Sequence, residues 1–180
     1  AAALVAGATA FLTNIFVARI MPPAVQQYQG IMVIAGTGGA LVGTLLFWVA
    51  WAGVFFVLTL FFQGKGSFRR TLAVTGYGYL PMVIGSAVSL AIFWVFSPGI
   101  RVAPVTSMEE IQSAVAALTH HPVMILSGIL GIIFLLWAAN IWIFGIRYAR
   151  GLTLRNAAIT VGVPVALYVI FVVWSLGGPA

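Results

Sequence analysis

Residues 64–81 read GKGSFRRTLAVTGYGYLP: a basic turn carrying Lys65, Arg69 and Arg70 runs straight into an apolar stretch with Gly76, Gly78, two tyrosines and Pro81. The rest of the chain has few charges to place. Of its 180 residues, 63% are hydrophobic and 6% charged, against about a quarter charged in an ordinary soluble domain. Too little polar side chain is available to cover a water-facing surface, so the sequence describes an integral membrane protein. The basic turn and the proline-interrupted run then mark a place where a spanning helix enters the bilayer from the interface.

A helix needs about 20 apolar residues to cross the hydrocarbon. Five segments qualify: 1–18, 40–62, 71–96, 123–146 and 154–176. None alternates in polarity as a barrel strand would. The expected fold is an all-α polytopic membrane bundle of five transmembrane helices, one domain over residues 1–180. If the second run began as early as Ile31 it would be too long for an upright span. The stretch IMVIAGTGG, 31–39, is therefore expected to be tilted, interfacial or broken at Gly36, Gly38 and Gly39. A basic n-region and a small-residue cleavage site are both missing from the first run, so a signal peptide is not expected.

Charge orients the spans. Lys65, Arg69 and Arg70 lie between spans two and three, and Arg147, Arg150 and Arg155 lie around the connection between four and five. Six of eight basic residues thus share one face, which the positive-inside rule makes cytoplasmic, with the N-terminus inside and the C-terminus outside. Arg19 and Arg101 oppose this assignment and are outnumbered. On the other face, residues 106–122 read TSMEEIQSAVAALTHHP. Ser107 and Glu110 have capping-box spacing, and Met108, Ile111, Val115 and Leu118 form one stripe, which predicts a short interfacial helix between spans three and four.

Little in this chain can do covalent chemistry. Glu109 and Glu110 are its only acids, both on that outer helix, so acid relays for ion-coupled transport have no carboxylate in the hydrocarbon. Cysteine is absent, which excludes disulfides and thiolate metal sites. His120 and His121 are adjacent without a third ligand, so neither metal nor cofactor is expected, and capping or interfacial hydrogen bonding suffices for them. Both histidines belong to the face opposite the basic loops, so a serine nucleophile there would lack a base. GYGYLP ends in proline inside an apolar run and is no dinucleotide fingerprint. An enzyme is not expected. A net charge of +6 would suggest nucleic acid in a soluble protein; here topology and anionic lipid account for it.

The remaining signals concern packing. Gly39 with Gly43, Gly85 with Ser89 and Ser127 with Gly131 are small residues four apart, read as contacts between spans, with homo-oligomerisation the alternative. Asn14 and Asn140 are expected to face the bundle, as interhelical glue or lining a polar path. Trp94, Trp142 and Tyr148 lie towards span ends, where interfacial anchoring suffices. Pro81 removes a backbone hydrogen bond near Tyr77 and predicts a bend in span three, with Gly76 and Gly78 admitting a neighbouring helix. Pro164, followed by Tyr168, repeats the device in span five. Lys65, Arg69 and Arg70 can reach lipid phosphates while Phe68 dips into the interface. Arg147 and Arg150 suit the C-terminal dipole of span four, whereas Arg155, at the start of span five, calls for phosphate or an acidic partner.

These residues resemble the Yip1 domain family of five-span membrane proteins. GSFRRTLAVTGYGYLPM is similar to that family's Ser-Phe element preceding Gly-Tyr-x-x-Leu-Pro, matched at Ser67, Phe68, Gly76, Tyr77, Leu80 and Pro81. VGVPVALYVIF resembles its last-span pattern at Pro164, Ala166 and Tyr168, and WAANIWIFGIRYARGLTLRNA the span-four exit of prokaryotic members. The resemblance implies five helices, a cytosolic N-terminus and no enzymatic activity, while short basic loops and a simple chain point to a prokaryotic member and its plasma membrane. Eukaryotic relatives act in vesicle trafficking with Rab-type GTPases, and prokaryotic members have no settled role. The expected function is a membrane organiser that recruits anionic lipid or a protein partner through the six cations. The alternative is a small transporter, channel or lipid-moving protein using the Pro-bent spans.

Overall fold

The structure, a computed structural model, describes residues 7, 8, 10, 11, 29–96 and 121–177. Every regular element among them is a helix: α1 (Gln29–Phe61), α2 (Phe68–Gly78), α3 (Leu80–Phe96), α4 (Pro122–Arg150) and α5 (Leu154–Gly177). Four stretches are long and apolar enough to cross a membrane: Gly30–Phe61, Phe68–Phe96, Pro122–Arg150 and Leu154–Trp174. They correspond to expected spans two to five, with α2 and α3 together forming span three. Most of the expected first span and all of the interfacial helix, with Asn14, Arg19, Arg101, Glu109, Glu110 and His120, lie outside the described residues. Gly7, Ala8, Ala10 and Phe11 are helical, and a Cβ on Gly7 would come within 2.9 Å of Leu41 on α1.

Of the three arrangements expected for 31–39, tilted, interfacial or broken, the break at the glycines does not occur. α1 is one continuous helix of 33 residues, about 50 Å long against about 30 Å of hydrocarbon. Isolated glycines weaken a helix by about 1 kcal/mol each without removing a hydrogen bond, and in lipid no water competes for the freed backbone groups. Such a rod must tilt or project beyond the bilayer.

Pro81 does interrupt span three. α2 stops at Gly78, Tyr79 stays near the helical region, and its N–H shortens its reach to the Gly76 carbonyl at 3.2 Å before α3 starts at Leu80. Pro164, by contrast, sits inside an uninterrupted α5. Helix α4 is the centre of the assembly: α2, α3 and α5 all pack on it, and α1 crosses α2 and α5. At its start Pro122 occupies the first turn, and His121 caps it by accepting a hydrogen bond at Nδ1 from the Val123 N–H, 3.3 Å.

Candidate functional site

The basic end is built from the way α1 stops. Gln63 takes a left-handed conformation (φ 54°), the Gly64 N–H returns to the Thr59 carbonyl at 2.9 Å and the Gln63 N–H to Leu60 at 3.0 Å. This is a Schellman termination, a place where glycine is usual. Here glycine stands one residue later because of space. A Cβ on Gly64 would lie 2.9 Å from the Thr59 carbonyl oxygen and 3.3 Å from Nε of Arg150.

Arg150, the last residue of α4, is the side chain that fills this space. It is 1% exposed. Its Nε donates to Thr59 Oγ1 at 2.9 Å, one terminal nitrogen donates to the Gly64 carbonyl at 2.9 Å, and the other to the Gly66 carbonyl. The guanidinium lies 4.4 Å above the Phe56 ring, and Phe68 meets that ring edge-on at 5.5 Å. The backbone closes the arrangement, since the Lys65 N–H donates to the Arg150 carbonyl at 2.8 Å. One planar fork therefore ties the α1–α2 loop to the end of α4, which a lysine ammonium could not do with the same geometry. Gly66 completes the fit at φ 108°, where a Cβ would lie 2.7 Å from the Ala149 carbonyl oxygen. We expect Gly66→Ala to cost about 2 kcal/mol in thermal unfolding, combining a disfavoured backbone with that clash, while Lys65→Ala next to it changes little.

The second basic hairpin is joined to the first by these same bonds. Gly151 ends α4 in the left-handed region (φ 61°, ψ 34°), the Leu152 N–H returns to Arg147, and Thr153 Oγ1 accepts from the Asn156 N–H to start α5. Lys65, Arg69, Arg70 and Arg155 are exposed, and Arg147 is half-buried with its guanidinium 5.4 Å from the Tyr148 ring. Five cations thus remain at the surface of one end of the bundle. Arg150, expected among them, is instead consumed in holding the two hairpins together. Phe68 packs on Phe56 and retains 37% exposure, enough to touch the interface as well.

About two helical turns further inside lies an aromatic cluster that sequence reasoning placed differently. Trp142, expected as an interfacial anchor, is fully buried. About 12 Å of helix separates it from Arg150, too deep for the membrane surface. It stacks on Trp51 at 5.8 Å and meets Phe55 and Tyr79 edge-on at 5.4 and 5.7 Å. Its indole N–H donates to the Thr75 carbonyl at 2.9 Å. That carbonyl is free because Tyr79, its ordinary helical partner, has turned to Gly76. Trp48 of α1 likewise donates to the Leu72 carbonyl at 3.0 Å. The two glycines of the motif make both approaches possible: a Cβ on Gly78 would fall 1.9 Å from Trp142 Nε1, and one on Gly76 3.2 Å from Trp48.

The remaining motif residues do not gather. Pro81 is buried at the break, while Tyr77 is 75% exposed, Leu80 61% exposed and Asn140 exposed. Tyr168 reaches Trp51 at 6.1 Å from the far side of the cluster, and Ser67 starts α2 without a side-chain cap. Trp48, Trp51, Tyr79, Thr59 and Thr75 carry much of the geometry and had not been singled out. For Tyr79 a signal existed, since it lies two residues before the proline. Among the described residues no cluster of three metal-ligating side chains occurs.

Apolar spans, a proline break sealed by an indole and two hairpins locked by a buried arginine define a multi-pass helical membrane protein. The Yip1 domain model matches residues 1–176, so the chain belongs to the Yip1 domain family. It is also similar to an uncharacterized protein of the archaeon Methanocaldococcus jannaschii, 31% identical over 84 residues, which cover 47% of this chain and 60% of that relative. The chain therefore matches about three fifths of the curated relative's length. No solved structure matches it.

Proposed function

We propose that the protein is a non-enzymatic membrane organiser whose basic end faces the cytoplasm and gathers anionic lipid headgroups, or an acidic partner surface, around Lys65, Arg69, Arg70, Arg147 and Arg155. The observation that carries this reading is the joining of both basic hairpins through Arg150, which fixes five surface cations at one end. Each cation near an anionic leaflet contributes about 1 kcal/mol, less at high salt. Phe68, partly exposed between them, adds an apolar contact. Transport through spans three and five gains no support from Tyr77 and Asn140, which are exposed on the described bundle.

Protein in neutral-lipid nanodiscs should capture anionic vesicles at low salt and release them as salt rises. Changing the five surface cations to glutamine, with Arg150 kept, should weaken capture by at least about tenfold and leave thermal unfolding unchanged. Equal capture by both proteins would overturn the proposal.

A further inference from the structure

Asn140 stands on the side of α4 that the core does not use. Ala138, Ala139 and Trp142 around it are buried, whereas Asn140 is exposed, as are Ile133, Leu136 and Phe144. At about 100° per residue these four fall on one stripe, turned away from Trp142. Along the helix axis Asn140 lies about 15 Å from Arg150, well inside a span. Its amide takes part in none of the hydrogen bonds among the described residues. A carboxamide turned to hydrocarbon without a partner is costly, and the apolar residues flanking it offer none.

The chemistry of the group selects its partner. An amide donates and accepts at once, so it is complementary to itself, which a charged side chain would not be. Copies inserted in the same orientation can pair about a twofold axis normal to the membrane, which sets their α4 helices parallel and brings a residue on the axis opposite itself. We propose that this stripe of α4 is a self-association surface, where two copies pair in parallel and each Asn140 Nδ2–H donates to the Oδ1 of the other. Ile133, Leu136 and Phe144 pack beside that pair, since dispersion and hydrogen bonding drive helix association in lipid. The dimer sets two basic ends side by side at one leaflet.

The chain has no native cysteine, so single thiols report cleanly. In bilayers, mild oxidation should cross-link Leu136→Cys and Phe144→Cys into dimers, and should leave Phe47→Cys, exposed on α1, monomeric. Energy transfer between labelled copies, titrated by lipid dilution, should show Asn140→Leu weakening the dimer roughly three- to tenfold and Asn140→Gln retaining it. Asn140 is exposed, so neither variant disturbs the core. Two results overturn the proposal: no cross-linking at 136 and 144, or a dimer indifferent to Asn140→Leu. An intrachain disulfide between Asn14→Cys and Asn140→Cys would also overturn it, by placing the partner within the same chain.

Discussion

Arg150→Met should destabilise the protein by about 3 kcal/mol and open the α1–α2 loop to protease. Methionine keeps most of the apolar stem over Phe56, so the loss is chiefly of hydrogen bonding. Three charge-assisted donations disappear, and Thr59 Oγ1 with the Gly64 and Gly66 carbonyls is left to find other donors. Buried, those acceptors would cost more. At the membrane end water can reach the two carbonyls, which holds the figure below the sum of three such bonds. Arg150→Lys should recover less than half, because one ammonium cannot meet three acceptors spread along a loop. Thermal unfolding in detergent gives the first readout and the rate of tryptic cleavage after Lys65 the second. Arg147→Met, on the same turn of α4, should move neither. If both substitutions behave alike, the lock is not at Arg150.

That contrast shows where sequence reading ran out. The pairing of two basic hairpins at one end was legible, because charges are scarce and helix lengths fix which loops share a face. So were the Pro81 interruption, the approach glycines beside it and the place of the connection between spans four and five. The separate fate of Arg150 was not, since three arginines within nine residues are chemically alike until a loop closes on one of them. Trp142 and Asn140 show the deeper reason. In a soluble helix polarity tells the core side from the water side, but lipid is as apolar as a protein interior, and α4 is apolar nearly all round. Nothing in its pattern says which face meets α2 and α3. Direction is encoded instead by size, where Gly78 admits Trp142 and where Gly145 admits Val74, whose Cγ1 would lie 2.1 Å from an added Cβ.

Gly78→Ala should accordingly be among the most damaging single-methyl additions in the chain. Its Cβ would fall 1.9 Å from Nε1 and 2.1 Å from Cδ1 of Trp142, a fully buried ring held by Trp51, Phe55 and Tyr79. The ring cannot retreat without giving up its bond to the Thr75 carbonyl, and α2 cannot retreat without loosening Trp48 from Leu72. We expect a loss of about 3 kcal/mol, the upper range for overpacking. Trp142→Phe should cost about 2 kcal/mol through the lost indole bond and a small void. Phenylalanine has no atoms where the pyrrole ring stood, so the double variant should be no worse than Gly78→Ala alone. A double-mutant cycle from thermal unfolding would then give a coupling of about 2 kcal/mol. Simple additivity would mean that the indole does not seal the proline break. Because the break sets how α2 leaves the bundle, the same variants should also shift Arg69 and Arg70. Reduced capture of anionic vesicles by Gly78→Ala, with all five surface cations present, would connect the buried seal to the basic end.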